Sequence, residues 1–312
     1  MDDRYLDTVR LMLAIAPDVF DTPHFAMKGG TAINMFVQDL PRLSVDIDVA
    51  VRPHEPDREQ ALSLIHAELA RARVAIERQG YAVNLTGIRG KHQGDDVRLL
   101  ASSGNVQVKV DINYVFRGTL MPIKTRRIGR RAQALFRVDF ALPTLCDAEV
   151  YGGKLVAALD RQHPRDLFDV RRMFDSVGLT ADIVDAFVAY LAGHNRPIHE
   201  VLFASRNSLV DEYEAGFAGM TSEAIKLTQL EATQRHLHET LPRSLDARQR
   251  QFLLSLVRLD PDWSLMPYPH LRDLPAIRWK LANLARLKAR DRTRFSAQAS
   301  MLQTGFAELG KT

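Results

Sequence analysis

Two aspartates, Asp46 and Asp48, lie two positions apart in residues 44–51, where polar and apolar residues alternate. This alternation predicts a β-strand with one packed face, so both carboxylates project from the same side. Two carboxylates on one face repel each other, and a cation bound between them removes the repulsion. Oxygen ligands of this kind suit Mg²⁺ or Mn²⁺, with water and substrate phosphates completing the coordination. The pair therefore predicts a site for a divalent metal ion.

A turn that contains two glycines precedes this strand. Gly29, Gly30 and Thr31 follow a predicted strand over residues 25–28 and precede a predicted helix over residues 32–37. Glycines at such a junction let the main chain approach a phosphate, and the amides at a helix start favour its charge. The alternative is a plain tight turn. The first interpretation predicts a triphosphate site that includes the hydroxyl of Thr31.

Two further residues would complete this site. Asp111 lies on the polar side of a strictly alternating segment, residues 105–114. With two bound metal ions, three carboxylates would activate a 3′ hydroxyl and stabilise the leaving pyrophosphate, with Asp111 as metal ligand or base. Ser44 shares the predicted strand face of Asp46 and Asp48 and would contact the substrate. The alternatives are a solvent-facing Asp111 and a Ser44 that only fills the sheet.

The elements that must position these residues form a mixed first half and a helical second half. In the first half, further helices are predicted over residues 4–16 and 57–79, and further strands around residues 81–88 and 96–101. Pro17 and Gly80 are expected to end the two helices. After residue 145 the predicted elements are all helical, among them residues 147–161, 165–177 and 278–294. This order predicts an α+β protein with two domains, residues 1–144 and 145–312.

The helical half offers three more candidate residues. Lys154 lies in the predicted helix 147–161, and its ammonium group would neutralise a triphosphate as a point charge; the alternative is a solvent-facing lysine. Asp166 and Asp169 lie one turn apart in the next helix, and the sequence leaves open which of them acts. Asp166, next to Arg165, is also a reasonable capping residue for that helix.

Composition limits the partners and the compartment. The net charge is +4, but basic residues concentrate in two segments, which suggests contact with a polyanion or else a solvated surface. These residues are Arg117, Lys124, Arg126, Arg127, Arg130, Arg131 and Arg137, and then Lys280, Arg286, Lys288, Arg290, Arg292 and Arg294. One cysteine, Cys146, excludes an internal disulfide framework, and the histidines lack zinc-site spacing. Without a signal-like start or a membrane-length apolar run, a cytoplasmic location without membrane contact is expected.

Several motifs resemble those of the AbiEii/AbiGii-type nucleotidyltransferase toxins, which include the MenT group and belong to the polymerase-β-like superfamily. The first motif is Lys28-Gly29-Gly30-Thr31-Ala32 followed by residues 42–48, RLSVDID. Residues 109–113 are similar to the strand of the third carboxylate. Residues 154–159 with 165–170, and residues 274–284, are similar to the later motifs. The gap between Gly30 and Asp46 is slightly longer than usual, and Thr31 stands where many members carry serine.

The resemblance implies a polymerase-β-like domain with a mixed sheet, followed by a helical domain that contributes to the active-site cleft. It implies a toxin of a toxin–antitoxin pair, in some cases linked to phage defence, with a cognate antitoxin as partner. In this family a lysine and an aspartate, here Lys154 and Asp166 or Asp169, face the nucleotide. Related toxins add nucleotides to the 3′ end of tRNA and so block translation.

Three functions are consistent with the sequence. The first is transfer of a nucleotide from a nucleoside triphosphate to an RNA acceptor such as tRNA, with Mg²⁺ or Mn²⁺ as cofactor. The second is transfer to a small molecule or a protein, which predicts no dependence on RNA. The third is a catalytically silent module that keeps the fold and only binds RNA; its RNA binding would survive the loss of both Asp46 and Asp48.

Overall fold

The structure is a computed structural model that describes residues 3–55, 57–86, 96–217 and 219–310. Its contacts divide the chain into two units: residues 1–150 with 218–224, and residues 151–217 with 225–312. The described helices and strands of the first unit are α1 Asp3–Phe20, β1 Phe25–Lys28, α2 Gly29–Thr31 continued by a π-helical segment Ala32–Val37, β2 Ile47–Val51, α3 Arg58–Arg78, β3 Ala82–Thr86, β4 Asp96–Ser103, β5 Val106–Asn113, β6 Lys124–Arg127, α4 Arg130–Phe136, β7 Ala141–Thr144 and the start of α5 Asp147–Asp160.

The first unit is built on a seven-stranded mixed sheet with the strand order β3-β4-β5-β2-β1-β7-β6. β2 is the central strand for the site, since it pairs antiparallel with β1 and parallel with β5. In β2 and β5 the side chains of Ile47, Val49, Val108, Val110 and Ile112 are buried, while Asp48, Lys109 and Asp111, which alternate with them, are more exposed. α1 and α3 pack against strands of this sheet and against each other. The opposite, polar face is therefore available for chemistry.

Three local predictions for this unit differ from the structure. α1 continues through Pro17, because Val19 and Phe20 are buried in the core, and this packing outweighs one lost hydrogen bond near the helix end. β2 starts at Ile47, since its pairing with β5 begins there. Residues 44–46 are not strand. The sequence also gave no sign of β6, α4 and β7, whose short strands carry basic residues or a proline. The last two positions of the predicted strand 81–88 lie outside the described residues.

The second unit consists of helices in its described part. They are the remainder of α5, α6 Pro164–Ser176, α7 Ala181–Ala192, α8 Ile198–Leu202, α9 Val210–Gly216, α10 Leu227–Ser244, α11 Ala247–Val257, two short 3₁₀ turns, α12 Pro275–Arg290 and α13 Arg292–Glu308. The helices predicted over residues 147–161 and 165–177 are thereby confirmed as α5 and α6. A mixed sheet in one unit and helices in the other confirm the predicted α+β class.

The predicted helix 278–294 is wrong in two respects. Asp291 separates α12 from α13 and caps α13 by accepting a hydrogen bond from the amide of Arg294. The apolar residues of this helix, Trp279 among them, also predict its packed side, whereas in the structure Trp279 is 41% exposed and the neighbouring Lys280 is buried. The Lys280 ammonium donates hydrogen bonds to the main-chain carbonyls of His194 and Arg196, which satisfy the buried charge.

Candidate active site

Charged residues form a row across four adjacent strands of the sheet. Asp48 in β2 is in register with Asp111 in β5 on one side and with Lys28 in β1 on the other. Asp111 is in register with Arg98 in β4, and these two side chains form an ion pair. Residues in register on neighbouring strands project to the same face, about 5 Å apart. The polar face therefore presents the charge order positive, negative, negative, positive.

Gly29 lies directly against the carboxylate of Asp48. A Cβ atom at Gly29 would stand 2.0 Å from Oδ2 of Asp48, far inside van der Waals contact. Gly29 also has φ +71°, a backbone conformation that glycine adopts without strain. From the sequence, the turn was predicted to bind phosphate and Asp48 to bind a metal ion, as two separate features. The structure brings these two parts into contact.

Thr31 and Ser44 join the glycine turn to the segment that carries Asp46. The hydroxyl of Thr31, which is buried, hydrogen-bonds the main-chain carbonyl of Asp46 and lies 2.9 Å from Oγ of Ser44. These contacts hold residues 44–46 out of the sheet and beside the turn. Asp46 itself is half-buried, just before β2 and two residues from Asp48. Contact of the Thr31 or Ser44 hydroxyl with a phosphate stays a prediction.

Arg42 brings a buried guanidinium group to the same turn. A Cβ atom at Gly30 would stand 2.9 Å from Nη2 of Arg42, and Nη1 donates a 2.8 Å hydrogen bond to the carbonyl of Leu43. The segment is anchored by residues far along the chain. Arg42 forms a β-bridge with Thr221, and the amide of Leu43 donates to the carbonyl of Met220. A cation is thereby fixed where the turn would receive a phosphate.

The donor set fits a metal ion that is bound together with a nucleotide. Within the described ranges, no group of three or more His, Cys, Asp or Glu side chains is arranged to hold a metal ion. Mg²⁺, however, is usually held by one or two carboxylates plus phosphates and water. Asp46 and Asp48 supply such a pair beside the glycine turn, while Arg98 engages one oxygen of Asp111. Asp111 as third ligand stays a prediction.

The second unit contains its own buried ion cluster. Nζ of Lys154 lies 2.7 Å from Oδ1 of Asp166 and 3.0 Å from Oδ2 of Asp169, and all three side chains are buried. Nε of Arg161, whose side chain is exposed, lies 2.6 Å from Oδ2 of Asp166. The interpretation of Lys154 as a solvent-facing lysine is therefore wrong. Asp166 is not the cap of α6 either, because His163 holds that position and accepts from the amide of Arg165 at 3.1 Å.

The electrostatics of this cluster hold Asp166 as an anion. Burial by itself would raise the pKa of the Asp166 carboxyl, but the charges of Lys154 and Arg161 and their hydrogen bonds outweigh it. The pKa of Asp166 therefore lies well below its usual range. Two cations and two carboxylates cancel each other in charge. A phosphate that contacts Lys154 would have to displace at least one carboxylate from it.

Comparison with known proteins identifies the family of the chain. The family model for the nucleotidyl transferase AbiEii toxin of type IV toxin–antitoxin systems matches residues 10–283. The chain belongs to the AbiEii family. A similar solved structure is that of MenT4, a nucleotidyltransferase toxin from Mycobacterium tuberculosis H37Rv, with a TM-score of 0.59 and 18% sequence identity over 90% of this chain and 91% of that chain. At this identity the likeness concerns the fold. No curated protein sequence matches significantly.

Family membership confirms the resemblance inferred from the motifs. It makes this AbiEii-family chain a nucleotidyltransferase of a toxin–antitoxin system, which implies a nucleoside triphosphate as substrate and an antitoxin as partner. Such enzymes generally use divalent metal ions, in agreement with the carboxylate pair. In the described part of the chain, no helix is both long enough and apolar enough to cross a membrane.

Three residues of the candidate site have no role that was predicted from the sequence. Lys28, although part of the quoted motif, and Arg98 flank the carboxylates because of the register of the strands. This register cannot be read from the sequence. Arg42 belongs to the quoted motif, and a basic residue four positions before Asp46 was the available signal.

The first basic segment is less exposed than its composition suggested. Arg117 is buried and donates to the carbonyl of Tyr114. The Arg126 side chain pairs with Asp147, and Nζ of Lys124 lies 3.6 Å from the same carboxylate. The second segment keeps its exposed cations except for Lys280, whose assignment to a solvated cluster was wrong.

Proposed function

We propose that this AbiEii-family protein transfers a nucleoside monophosphate from a nucleoside triphosphate to an RNA acceptor, the 3′ end of tRNA, and thereby blocks translation. One observation carries the proposal: the carboxylate of Asp48 is packed against the Gly29 turn, in a row with Asp111 and Lys28. A metal ligand and a phosphate-binding turn in direct contact are what transfer of a phosphate ester requires.

Each residue of the first unit has a distinct task in this proposal. Asp46 and Asp48 hold the metal ion, Mg²⁺ or Mn²⁺, which when bound neutralises phosphate charge and lowers the pKa of the acceptor hydroxyl. The main chain of Gly29, Gly30 and Thr31 holds the triphosphate. Arg42 places a positive charge beside that turn. Ser44, whose Oγ lies 2.9 Å from the hydroxyl oxygen of Thr31, links the turn to the Asp46 segment and in this proposal contacts the nucleotide.

The reaction is an in-line displacement at the α-phosphorus. The acceptor oxygen forms a bond to the α-phosphorus, and the bond from that phosphorus to the oxygen bridging to the β-phosphorus breaks. Pyrophosphate leaves with that electron pair. Asp111 accepts the proton of the acceptor hydroxyl, while its ion pair with Arg98 fixes the orientation of the carboxylate. Lys28 and Arg42 stabilise the charge of the leaving pyrophosphate.

Lys154 is proposed to contact a nucleotide phosphate, a role that the resemblance to the family implies. In this proposal a phosphate oxygen replaces one carboxylate oxygen at Nζ of Lys154. Asp169 is the better candidate for the exchanging group, because Asp166 keeps Arg161 as a second partner. Asp166 then positions Lys154. Between the two aspartates that the sequence left open, the proposal thus assigns the contact with the nucleotide site to Asp169.

An RNA acceptor is favoured by the exposed cations of residues 286–294. We also propose a cognate antitoxin as partner, a role in phage defence and action in the cytoplasm, because the family consists of toxins of toxin–antitoxin systems. They remain part of the proposal.

The test is incubation of purified protein with total tRNA, Mg²⁺ and each α-labelled nucleoside triphosphate in turn. We expect label in tRNA with at least one triphosphate, and loss of that label with Asp48→Ala or after chelation of the metal. Label in a protein band or a small molecule instead would move the acceptor to another class. RNA binding by an Asp46→Ala/Asp48→Ala protein, with no transfer by the wild type, would favour a silent module.

A further inference from the structure

Trp279 is an exposed aromatic residue on a basic helix. It lies in the first turns of α12 with 41% of its surface accessible. The other large apolar residues exposed in the described part of the chain are aliphatic or methionine: Val74, Leu135, Val177, Val210 and Met301. The core of the second unit does not use this indole, since its neighbours Ile277 and Lys280 are the ones that are buried.

Two arginines share the helix face of Trp279. A helix turns about 100° per residue, so Arg286 and Arg290 lie within about 20° of Trp279 around the axis, at about 10 and 16 Å along it. Both arginines are exposed. Ala282, exposed one turn after Trp279, is too small to cover the ring. Trp279, Arg286 and Arg290 form what we call the tryptophan stripe.

The charge of α12 has one sign. The helix contains five basic residues and no aspartate or glutamate. Three of the five are engaged elsewhere. Lys280 is buried on main-chain carbonyls, Nη2 of Arg278 lies 2.7 Å from Oδ1 of Asp273, and Nζ of Lys288 lies 5.4 Å from the centre of the Phe295 ring. On the tryptophan stripe, Arg286 contacts only a neutral side chain among its described partners, Oδ1 of Asn283 at 3.2 Å. The stripe therefore offers one aromatic face and two cations without a carboxylate between them.

We propose that the tryptophan stripe binds single-stranded RNA, with one unpaired base stacked on Trp279 and the adjoining phosphates at Arg286 and Arg290. Aromatic stacking combined with backbone contacts is the usual way in which proteins hold single strands without reading their sequence. RNA is favoured over a protein partner because the stripe offers hydrogen-bond donors but no acceptor for a main-chain amide, and α12 contains no carboxylate beside its cations. The proposal rests on the proposed function, in which the acceptor is RNA.

Fluorescence of Trp279 provides a direct test. The chain has two tryptophans, and Trp263→Phe leaves Trp279 as the only indole, with the full chain otherwise intact. This protein is titrated in chelator, without nucleoside triphosphate, with an unstructured RNA of about 10 nucleotides, a length within the usual site size. We expect saturable quenching of the Trp279 emission. Unchanged emission while the RNA binds would overturn the proposal.

Affinity measurements with variants of the wild-type chain give a second test. Trp279→Ala should weaken binding of the same RNA about 5- to 150-fold. Trp279→Phe keeps an aromatic ring, so its affinity should lie between those of the wild type and Trp279→Ala. Arg286→Gln/Arg290→Gln should weaken binding and lower the slope of log affinity against log salt by about 1.4, the value for two phosphates on a single strand. Met301→Ala, which removes an exposed apolar side chain elsewhere in the same unit, should leave affinity unchanged. Equal affinities of Trp279→Ala and wild type would contradict the proposal.

Failure of this proposal is distinguishable from failure of the proposed function. If the wild type labels tRNA and Trp279→Ala labels and binds it equally well, the stripe proposal is wrong and RNA remains the acceptor. If the wild type labels no RNA, the acceptor proposal is wrong, and the quenching titration still reports whether the stripe binds a single strand. Stronger binding of a duplex than of the single strand would overturn the stacking proposal.

Discussion

At Gly29 the main chain occupies space that any side chain would need. The carboxylate of Asp48 stands where a Cβ atom would be, and the local backbone is left-handed. In the proposed function this contact joins the turn that binds phosphate to a carboxylate that binds the metal ion. A single methyl group at Gly29 would therefore displace the Asp48 carboxylate or the turn.

Gly29→Ala is expected to lower nucleotide transfer roughly 100-fold or more, since displacing a reacting group by about 1 Å can cost that much. It should also destabilise the protein, because a left-handed alanine costs about 1–2 kcal/mol before the collision is counted. Gly178→Ala is the matched control. Gly178 has φ +68° but no atom within 4 Å of its Cβ position, so it reports backbone strain alone. Equal activities of the two variants would show that the turn has no role in catalysis.

Residues of the candidate site could be proposed from the sequence where a reactive side-chain type occurs at a characteristic spacing. Asp46, Asp48 and the two glycines stand out because few other segments combine paired carboxylates with a strand–turn–helix pattern. The partner contacts were not predictable. Arg42 reaches Gly30, and Arg98 reaches Asp111, through strand register and a loop path that depend on the folded chain.

Among the elements, α5 and α6 are joined by the buried contacts of Lys154 with Asp166 and Asp169. Lys154→Met is expected to destabilise the protein by about 3–5 kcal/mol, because it leaves two buried carboxylates without their shared cation. Chemical denaturation measures this loss. Arg161→Met, at an exposed partner of Asp166, should cost about 1 kcal/mol or less. If Lys154→Met keeps the stability of the wild type but loses nucleotide transfer, then Lys154 acts on the nucleotide and does not stabilise the fold.

α12 carries a second buried lysine, with a consequence for pH dependence. Burial lowers the pKa of Lys280 to about 8, with Glu200 opposing the shift. The unfolded chain, whose lysine pKa is near 10.4, then binds more protons between pH 8 and 10, so stability rises with pH there and is lost as pH falls through 8.

Relative to Lys280→Met, the wild type should therefore gain about 2 kcal/mol of unfolding free energy between pH 7 and pH 10. Comparing the two proteins removes the titration of all other groups. A difference between wild type and variant that stays constant over this range would show that Lys280 keeps its ordinary pKa.

The helices and strands that could be predicted from the sequence are those with clear local signals. α3 was predictable because Asp57 and Gln60 form a capping box at its start and Gly80 follows its end. β6 and β7 were not, since four residues give too short an alternation and their pairing is with each other and with β1. The environments of Lys280 and Trp279 were not predictable, because the buried side of α12 runs through Ile277, Lys280 and Leu284 and leaves Trp279 exposed.

At the scale of the whole molecule, a late segment completes an early unit. Residues 218–224 belong with residues 1–150, and the carbonyl of Met220 accepts from the amide of Leu43, close to Arg42 and Ser44. No periodicity or motif in the sequence marks such a return. The segment that carries Asp46 thus depends on residues about 175 positions later in the chain.

Met220→Ala should destabilise the first unit by about 2–5 kcal/mol, the usual cost of truncating a buried methionine. Hydrogen exchange at the amide of Leu43 and its neighbours should become faster. Met266→Ala truncates another buried methionine, in the second unit, and serves as the control. Exchange at Leu43 that responds to Met266→Ala but not to Met220→Ala would contradict this dependence.

We propose that Asp46 and Asp48 hold a divalent ion beside the glycine turn together with a nucleotide. Electron paramagnetic resonance of Mn²⁺ tests it directly, because the free ion gives a sharp signal that is lost on binding. With a non-hydrolysable nucleoside triphosphate present, wild-type protein should remove free Mn²⁺ beyond what the nucleotide alone removes, and a folded Asp46→Asn/Asp48→Asn protein should not. Equal removal of Mn²⁺ by the two proteins would contradict the claim.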